Sequence, residues 1–255
     1  MKLQSVNVLG VGVSVLTLPL ATHLVLEAVR QKRRGYICVT GVHGVIEAQS
    51  DPVFRRILNH AFLCTPDGVP LVWMGKIHGH KPMGRVYGPD LMLAICAASP
   101  PLGLRHFLYG GAYGVVHELK QKLELRFPGL QIVGAYEPPF RPLTTEEEKT
   151  VCAAVKTAQP DIFWVGLSTP KQEKFMAQSL DRLDTTLMIG VGAAFDFHAG
   201  RVRQAPLWMQ RNGLEWIYRI YREPRRLWRR YFKNNPWFLW KVAGQLSGLK
   251  KYTLD

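Results

Sequence analysis

Hydrophobic positions along the chain fall into short, nearly continuous runs separated by segments of helical period. VNVLGVGV (6–13) reads as a strand. Thr17 can cap a helix that carries Pro19 in its first turn and runs to about Arg33. YICVT (36–40) is the next strand. Two short helical patterns follow, divided at Asp51 and Pro52, and AFLCT (61–65) is a strand that runs into the turn TPDGVPLVW (65–73). In the second half, LRHFLYGG (104–111), LQIVGAY (130–136), DIFWVGL (161–167) and TTLMIGVG (185–192) are strands. Tyr113 to Phe127 is helical, stopped by Pro128 and Gly129. A threonine cap with acids in the first turn opens a helix ending at Pro160, and PKQEKFMAQSL (170–180) is another. Apolar strands alternating with helices predict an α/β fold, a Rossmann-like parallel sheet with helices on both faces. After Gly200 the alternation stops and a helical, basic, aromatic tail runs to the end. The expected organisation is an α/β domain over residues 1–200 and a helical appendage over 201–255.

Composition changes this picture in one respect. Net charge is +14, and residues 201–255 hold 13 of the Lys and Arg against three acids, with five of the seven tryptophans. Such a terminus points to an anionic partner: nucleic acid, an anionic membrane surface or a phosphorylated substrate. Cys38, Cys64, Cys96 and Cys152 are scattered among apolar residues, as reduced core thiols of a cytosolic protein are. Val6 to Leu20 follows Lys2 as a signal peptide would. It has no A-x-A-like cleavage site and is too short to span a bilayer, so a strand leading to a helix is the better reading.

The polar clusters sit at predicted strand ends, where open parallel sheets bind ligands. They are Thr40 with His43, Thr65 with Asp67, Tyr109 to Gly111, Ser168 to Gln172, and Gly190 to Asp196. Asp67 fits equally a turn-forming aspartate and a general base beside an apolar wall that raises its pKa. GVGAAFDF (190–197) lacks the third glycine of a dinucleotide fingerprint, and helical character does not clearly resume until Pro206; GVGVSV fails similarly. A nicotinamide-dependent oxidoreductase therefore stays the weaker alternative. No D-x-D and no HxxxH occurs, which argues against a catalytic metal, so charge for a diphosphate must come from side chains or helix N-termini. No cofactor is expected. In the tail, Arg219, Arg222, Arg226, Arg229, Arg230 and Lys233 form a basic stripe, and Ile217, Ile220, Tyr221, Leu227, Trp228 and Tyr231 an apolar-aromatic one, if the helix survives or kinks at Pro224. A core helix with a solvated basic face would show the same stripes; the tryptophans and arginines favour an interfacial membrane role.

TPDGVPLVW, RVYGPDL (85–91), STPKQE (168–173), GVGAAFDFHAG (190–200) and RQAPLWMQRNGLEWIYRIYREPRR (203–226) together resemble the WecG/TagA/CpsF family of glycosyltransferases across most of the chain. The resemblance implies an inverting, metal-independent transfer from a UDP-sugar to a polyprenyl-diphosphate-linked saccharide, by a cytoplasmic protein peripheral on the inner membrane face. Asp67 would be the base, with Thr40 and Gln172 lining the sugar pocket. Arg219, Arg222 and Arg225 would meet the diphosphate. Further substrate contacts are expected from His43, Arg85, Tyr109, Gly110, Gly111, Tyr136, Gly166, Pro170, Gly192 and Asp196. Many members carry Asn shortly after the strand-end threonine where this chain reads TGVHG, so His43 is expected to alter donor or acceptor preference, with a lean toward exopolysaccharide sugars. A nucleic-acid-binding protein would explain the charge but not the strand-end clusters; binding of UDP, NAD and DNA separates the three classes.

Overall fold

A computed structural model describes residues 3–254, with the side chain of Arg226, part of the predicted basic stripe, outside that description. The chain opens with β1 (Ser5–Val8) and β2 (Val11–Ser14), antiparallel, with Ser5 opposite Ser14 and Val8 opposite Val11. This corrects the single strand expected over 6–13. Leu9 and Gly10, at φ 54 and 83, form the two-residue left-handed turn that suits a twisted hairpin. The usual Asn-Gly signal is missing because leucine occupies the first turn position. Its left-handed backbone costs about 1–2 kcal/mol, offset by full burial of the side chain, worth roughly 1.5–3 kcal/mol.

α1 (Leu18–Arg30) starts directly after Thr17 and leads to β3 (Gly35–Thr40). α2 (Val42–Glu47) and α3 (Pro52–Asn59) divide where Asp51 and Pro52 predict: Asp51 accepts the Phe54 N–H at 2.9 Å as N-cap. β4 (Leu63–Pro66), α4 (Val69–Ile77) and α5 (Gly88–Ala98) follow. β5 (Arg105–Gly110), α6 (Val115–Arg126), β6 (Gln131–Tyr136), α7 (Thr145–Ala158), β7 (Ile162–Gly166), α8 (Lys171–Ser179) and β8 (Leu187–Gly190) match the predicted alternation. Thr144 and Glu147 close the capping box that opens α7. α9 (Ala194–His198) is a short helix where none was expected before Pro206. The tail is α10 (Leu207–Arg211), α11 (Glu215–Arg222) and α12 (Pro224–Leu246). Pro224 ends neither helix by kinking; it begins α12, where its missing N–H would have no intrahelical partner.

Six strands form one sheet in the order β4-β3-β8-β7-β5-β6, and the pairs β3–β8, β8–β7, β7–β5 and β5–β6 are parallel. β7 is buried along Ile162 to Val165, the unbroken apolar run of a strand covered on both faces.

The chain divides into two compact units. The first comprises Met1–Thr17, Val39–Tyr87 and Gln204–Asp255, and so joins the hairpin, α2 to α4, β4 and the tail. Within it α12 packs on α2, with Leu227, Phe238 and Val242 buried. Gln245 fastens its far end to the hairpin, donating to the Asn7 carbonyl at 2.8 Å and accepting from the Leu9 N–H at 2.9 Å. The second unit comprises Leu18–Cys38 and Gly88–Arg203. Its core stacks Tyr109 on Phe175, at 4.5 Å between ring centroids, and Phe107 on Phe163, at 5.2 Å.

Candidate active site

In the first unit, the chain leaves β4 at Pro66 and turns through Asp67 and Gly68 into α4. The Asp67 N–H donates to the Thr40 carbonyl at 3.0 Å, so the ends of β3 and β4 hold the turn between them. Gly41 and Gly68 approach closely: a side-chain carbon on Gly68 would lie 3.6 Å from the Gly41 Cα, and one on Gly41 3.7 Å from Asp67 Oδ2. Asp67 is half-buried. Just beyond it on α4, Leu71 and Val72 are buried and Trp73 is 53% exposed.

A cation is held at the Asp67 turn. Arg85 Nε donates to the Asp67 carbonyl, Nη2 to Glu215 Oε2 at 2.6 Å, and Nη1 to the Gln210 carbonyl at 3.4 Å. Its plane lies 4.0 Å over the Tyr87 ring, and the Tyr87 hydroxyl donates to Glu215 Oε1 at 2.7 Å. Burial works against the Arg85 charge, but Asp67 and then Glu215 outweigh it and hold the guanidinium protonated. Burial, with Glu215 and Asp67 next in effect, pushes the Tyr87 hydroxyl far up, so it stays a donor. Arg219 is mostly buried beside this group. Burial opposes its charge, and Tyr231, Tyr87, Glu215 and Glu223 favour it strongly enough to prevail. Arg222 and Arg225 are exposed. Thr40 is buried and accepts the Cys64 thiol at 3.4 Å. His43 Nδ1 lies 2.8 Å from Asn234 Nδ2, and 3.6 Å from Glu47.

In the second unit, the ends of β5, β7 and β8 carry the glycines. Gly110, at φ 122, meets Gly166 so closely that an added carbon would lie 2.7 Å from its backbone. The Gly111 N–H donates to the Gly166 carbonyl at 2.9 Å. Gln172 is buried, accepts the Gly192 N–H at 3.1 Å and donates to Glu173 at 2.9 Å, so its amide fastens the β8 turn to α8. Thr169 donates to the same Glu173 oxygen at 2.9 Å. Pro170 occupies the N-cap position of α8. Tyr109 is buried, stacked between Phe175 and Tyr136 rather than turned outward, while Tyr136 at the end of β6 is half-buried. The Asp196 carbonyl accepts from the Arg201 and Val202 N–H groups at 3.0 and 3.2 Å.

Thus Thr40, Asp67, Arg85 and Arg219 share the first unit's cluster, and Gly110, Gly111, Gly166, Gln172 and Gly192 share the second unit's. Glu215 and Tyr87 are functional candidates that the sequence reading did not single out. The available signal was charge: an acid stands in GLEW within a tail of 13 bases and three acids, and a buried acid there needs a partner. Among the described residues no three His, Cys, Asp or Glu side chains cluster as a metal site.

A family model described as Glycosyl transferase WecG/TagA/CpsF family matches residues 6–252. A protein of Bacillus spizizenii named N-acetylglucosaminyldiphosphoundecaprenol N-acetyl-beta-D-mannosaminyltransferase is 29% identical over 230 residues, 90% of this chain and 87% of that protein. A Bacillus subtilis protein of the same name is 30% identical over 183 residues, 72% of this chain and 69% of its own.

Proposed function

Because this chain belongs to the WecG/TagA/CpsF glycosyl transferase family, we propose that it moves a sugar from a UDP-linked donor to a polyprenyl-diphosphate-linked saccharide, inverting the anomeric centre, at the inner face of the cell membrane. The acceptor class follows the chemistry named for both Bacillus relatives. Asp67 takes the proton from the acceptor hydroxyl while that oxygen bonds to the anomeric carbon. UDP leaves with the bonding pair. A single displacement inverts the carbon. Charge on the leaving diphosphate is met by guanidinium groups, Arg219 in the cluster and Arg222 and Arg225 on the exposed side, in place of a metal ion. His43 tunes substrate preference, and the Gln172 lock shapes a donor-binding edge of the second unit with Gly110, Gly166 and Gly192.

The observation that carries this reading is the placement of Asp67: a half-buried carboxylate on a turn whose backbone is held on one side by Thr40 and on the other by Arg85. A base must be held within hydrogen-bond reach of the proton it removes, and a turn fixed twice achieves that. Membrane association is supported by the tail. No described helix is long and apolar enough to cross a bilayer, whereas Trp228, Phe232, Trp237, Leu239 and Trp240 of α12 are exposed beside basic residues.

The test is a panel of UDP-sugars offered with N-acetylglucosaminyl-diphosphoundecaprenol, with and without EDTA. Turnover should survive the chelator. Asp67→Asn should retain UDP binding and lose about two to four decades of turnover, the usual range for a general base. Turnover within a few-fold of wild type would remove Asp67 from that role, and loss with EDTA restored by magnesium would overturn the metal-free mechanism.

A further inference from the structure

The Asp67 turn is tied to the tail through Arg85, and the charged partner of that arginine on the tail is Glu215. Glu215 is 9% exposed, and both its oxygens are committed: Oε2 to Arg85 and Oε1 to the Tyr87 hydroxyl. Arg85 also donates to two backbone carbonyls, Asp67 on the turn and Gln210 on α10. Gln210 is itself fixed, its amide donating to the Ala205 carbonyl at 2.7 Å. The adjoining corner is tight as well. A side-chain carbon added at Gly213, at φ 72 on the α10–α11 connection, would lie 3.4 Å from the Val69 Cβ, two residues past Asp67. A planar fork with donors at fixed angles suits these three acceptors; a lysine ammonium could not reach them from one position.

We propose that Glu215 is a positioning residue for the Asp67 turn, acting through Arg85 to fix the backbone of the base and to share the cation held at that turn. The proposal rests on the reading of Asp67 as the base. Its physical content is a division of charge. Arg85 holds the Asp67 backbone carbonyl and the Glu215 carboxylate, and both acids' charges favour its protonated form, so Glu215 neutralises part of the field that Asp67 would otherwise feel. Without that share, Asp67 faces an uncompensated guanidinium and becomes a weaker base. Among the described residues, the other charged or titratable groups shown to act on this cluster are Tyr87 before α5, Arg219 on α11, Glu223 at its end and Tyr231 on α12.

The experiment uses the full chain with carboxyl-labelled aspartate. The carbon-13 signal lost in Asp67→Asn identifies Asp67, and its titration is compared in wild type and Glu215→Gln. The midpoint should fall by about half a pH unit or more in the variant. Turnover on the lipid acceptor should drop roughly tenfold or more while the donor KM changes less than about threefold, as loss of transition-state geometry requires. Glu215→Asp should recover part of both. A general loss of stability would leave the Asp67 midpoint where it was, and an unmoved midpoint overturns the proposal. An active Asp67→Asn instead sinks the base assignment, while the midpoint comparison still decides whether Glu215 shares Arg85. Should Glu215→Gln not fold, Arg85→Lys must lose turnover at retained donor KM; a raised donor KM there would make Arg85 a donor ligand and overturn the proposal.

Discussion

His106 shows how a single residue can be settled by burial. It sits within β5, fully enclosed, and accepts the Trp164 indole N–H on Nδ1 at 2.9 Å. Burial lowers its pKa from 6.5 to about 4, so the folded protein keeps it neutral. The sign follows. Above about pH 6.5 neither folded nor unfolded chain holds the proton. Between there and pH 4 the unfolded chain binds it and the fold does not. Stability should therefore fall by about 1.4 kcal/mol per pH unit over that window, about 3 kcal/mol in all. Denaturant melts of wild type and His106→Gln at pH 7, 5.5 and 4.5 check this: the variant's slope against pH should be shallower by one proton, and equal slopes would refute it. Gly110 is a second residue-scale case. Gly110→Ala places a carbon against the Gly166 backbone and forces a non-glycine residue to φ 122, so a loss of several kcal/mol in a thermal or urea melt is expected.

At the scale of elements, the two ends of the first unit depend on each other. Gln245 on α12 supplies two hydrogen bonds to the β1–β2 hairpin, and Asn7 donates to the Tyr252 carbonyl at 2.6 Å. A two-stranded hairpin is marginal alone and needs packing against something else. Gln245→Ala should cost about 1–3 kcal/mol, since it strands two partly buried backbone groups. Removing 201–255 strips Leu227, Phe238 and Val242 from α2 and leaves the hairpin unsupported. The shortened chain should aggregate or lose near-UV circular dichroism; a soluble, cooperatively melting fragment would show that the tail is dispensable for folding. By contrast α7 is defined locally. Its Thr144 and Glu147 box was legible as TTEEE, because a cap uses residues three apart and needs no distant partner.

For the whole molecule, a net charge of +14 and the exposed aromatics of α12 are the features on which the proposed membrane association rests. Each basic residue near an anionic bilayer contributes about 1 kcal/mol, screened within a Debye length. Arg229→Glu with Arg230→Glu should weaken cosedimentation with phosphatidylglycerol vesicles, more at low salt, while turnover on detergent-dispersed acceptor is kept; unchanged vesicle binding would detach the tail from the membrane. The sequence by itself determined the parallel α/β class, the strand-end position of Asp67 and, to within a few residues, the bounds of α1, α6, α7 and α8. Those features are written locally, as runs of buried residues, caps and turn residues. Only the tertiary structure decided that residues 6–13 fold into a hairpin, because a leucine takes the left-handed turn position and its burial is set by distant packing. Only it placed β8 beside β3, and only it joined Glu215 to Arg85 across 130 positions of chain. Periodicity reports which face of an element is buried; it carries no information on which distant side chain completes a carboxylate's hydrogen bonds.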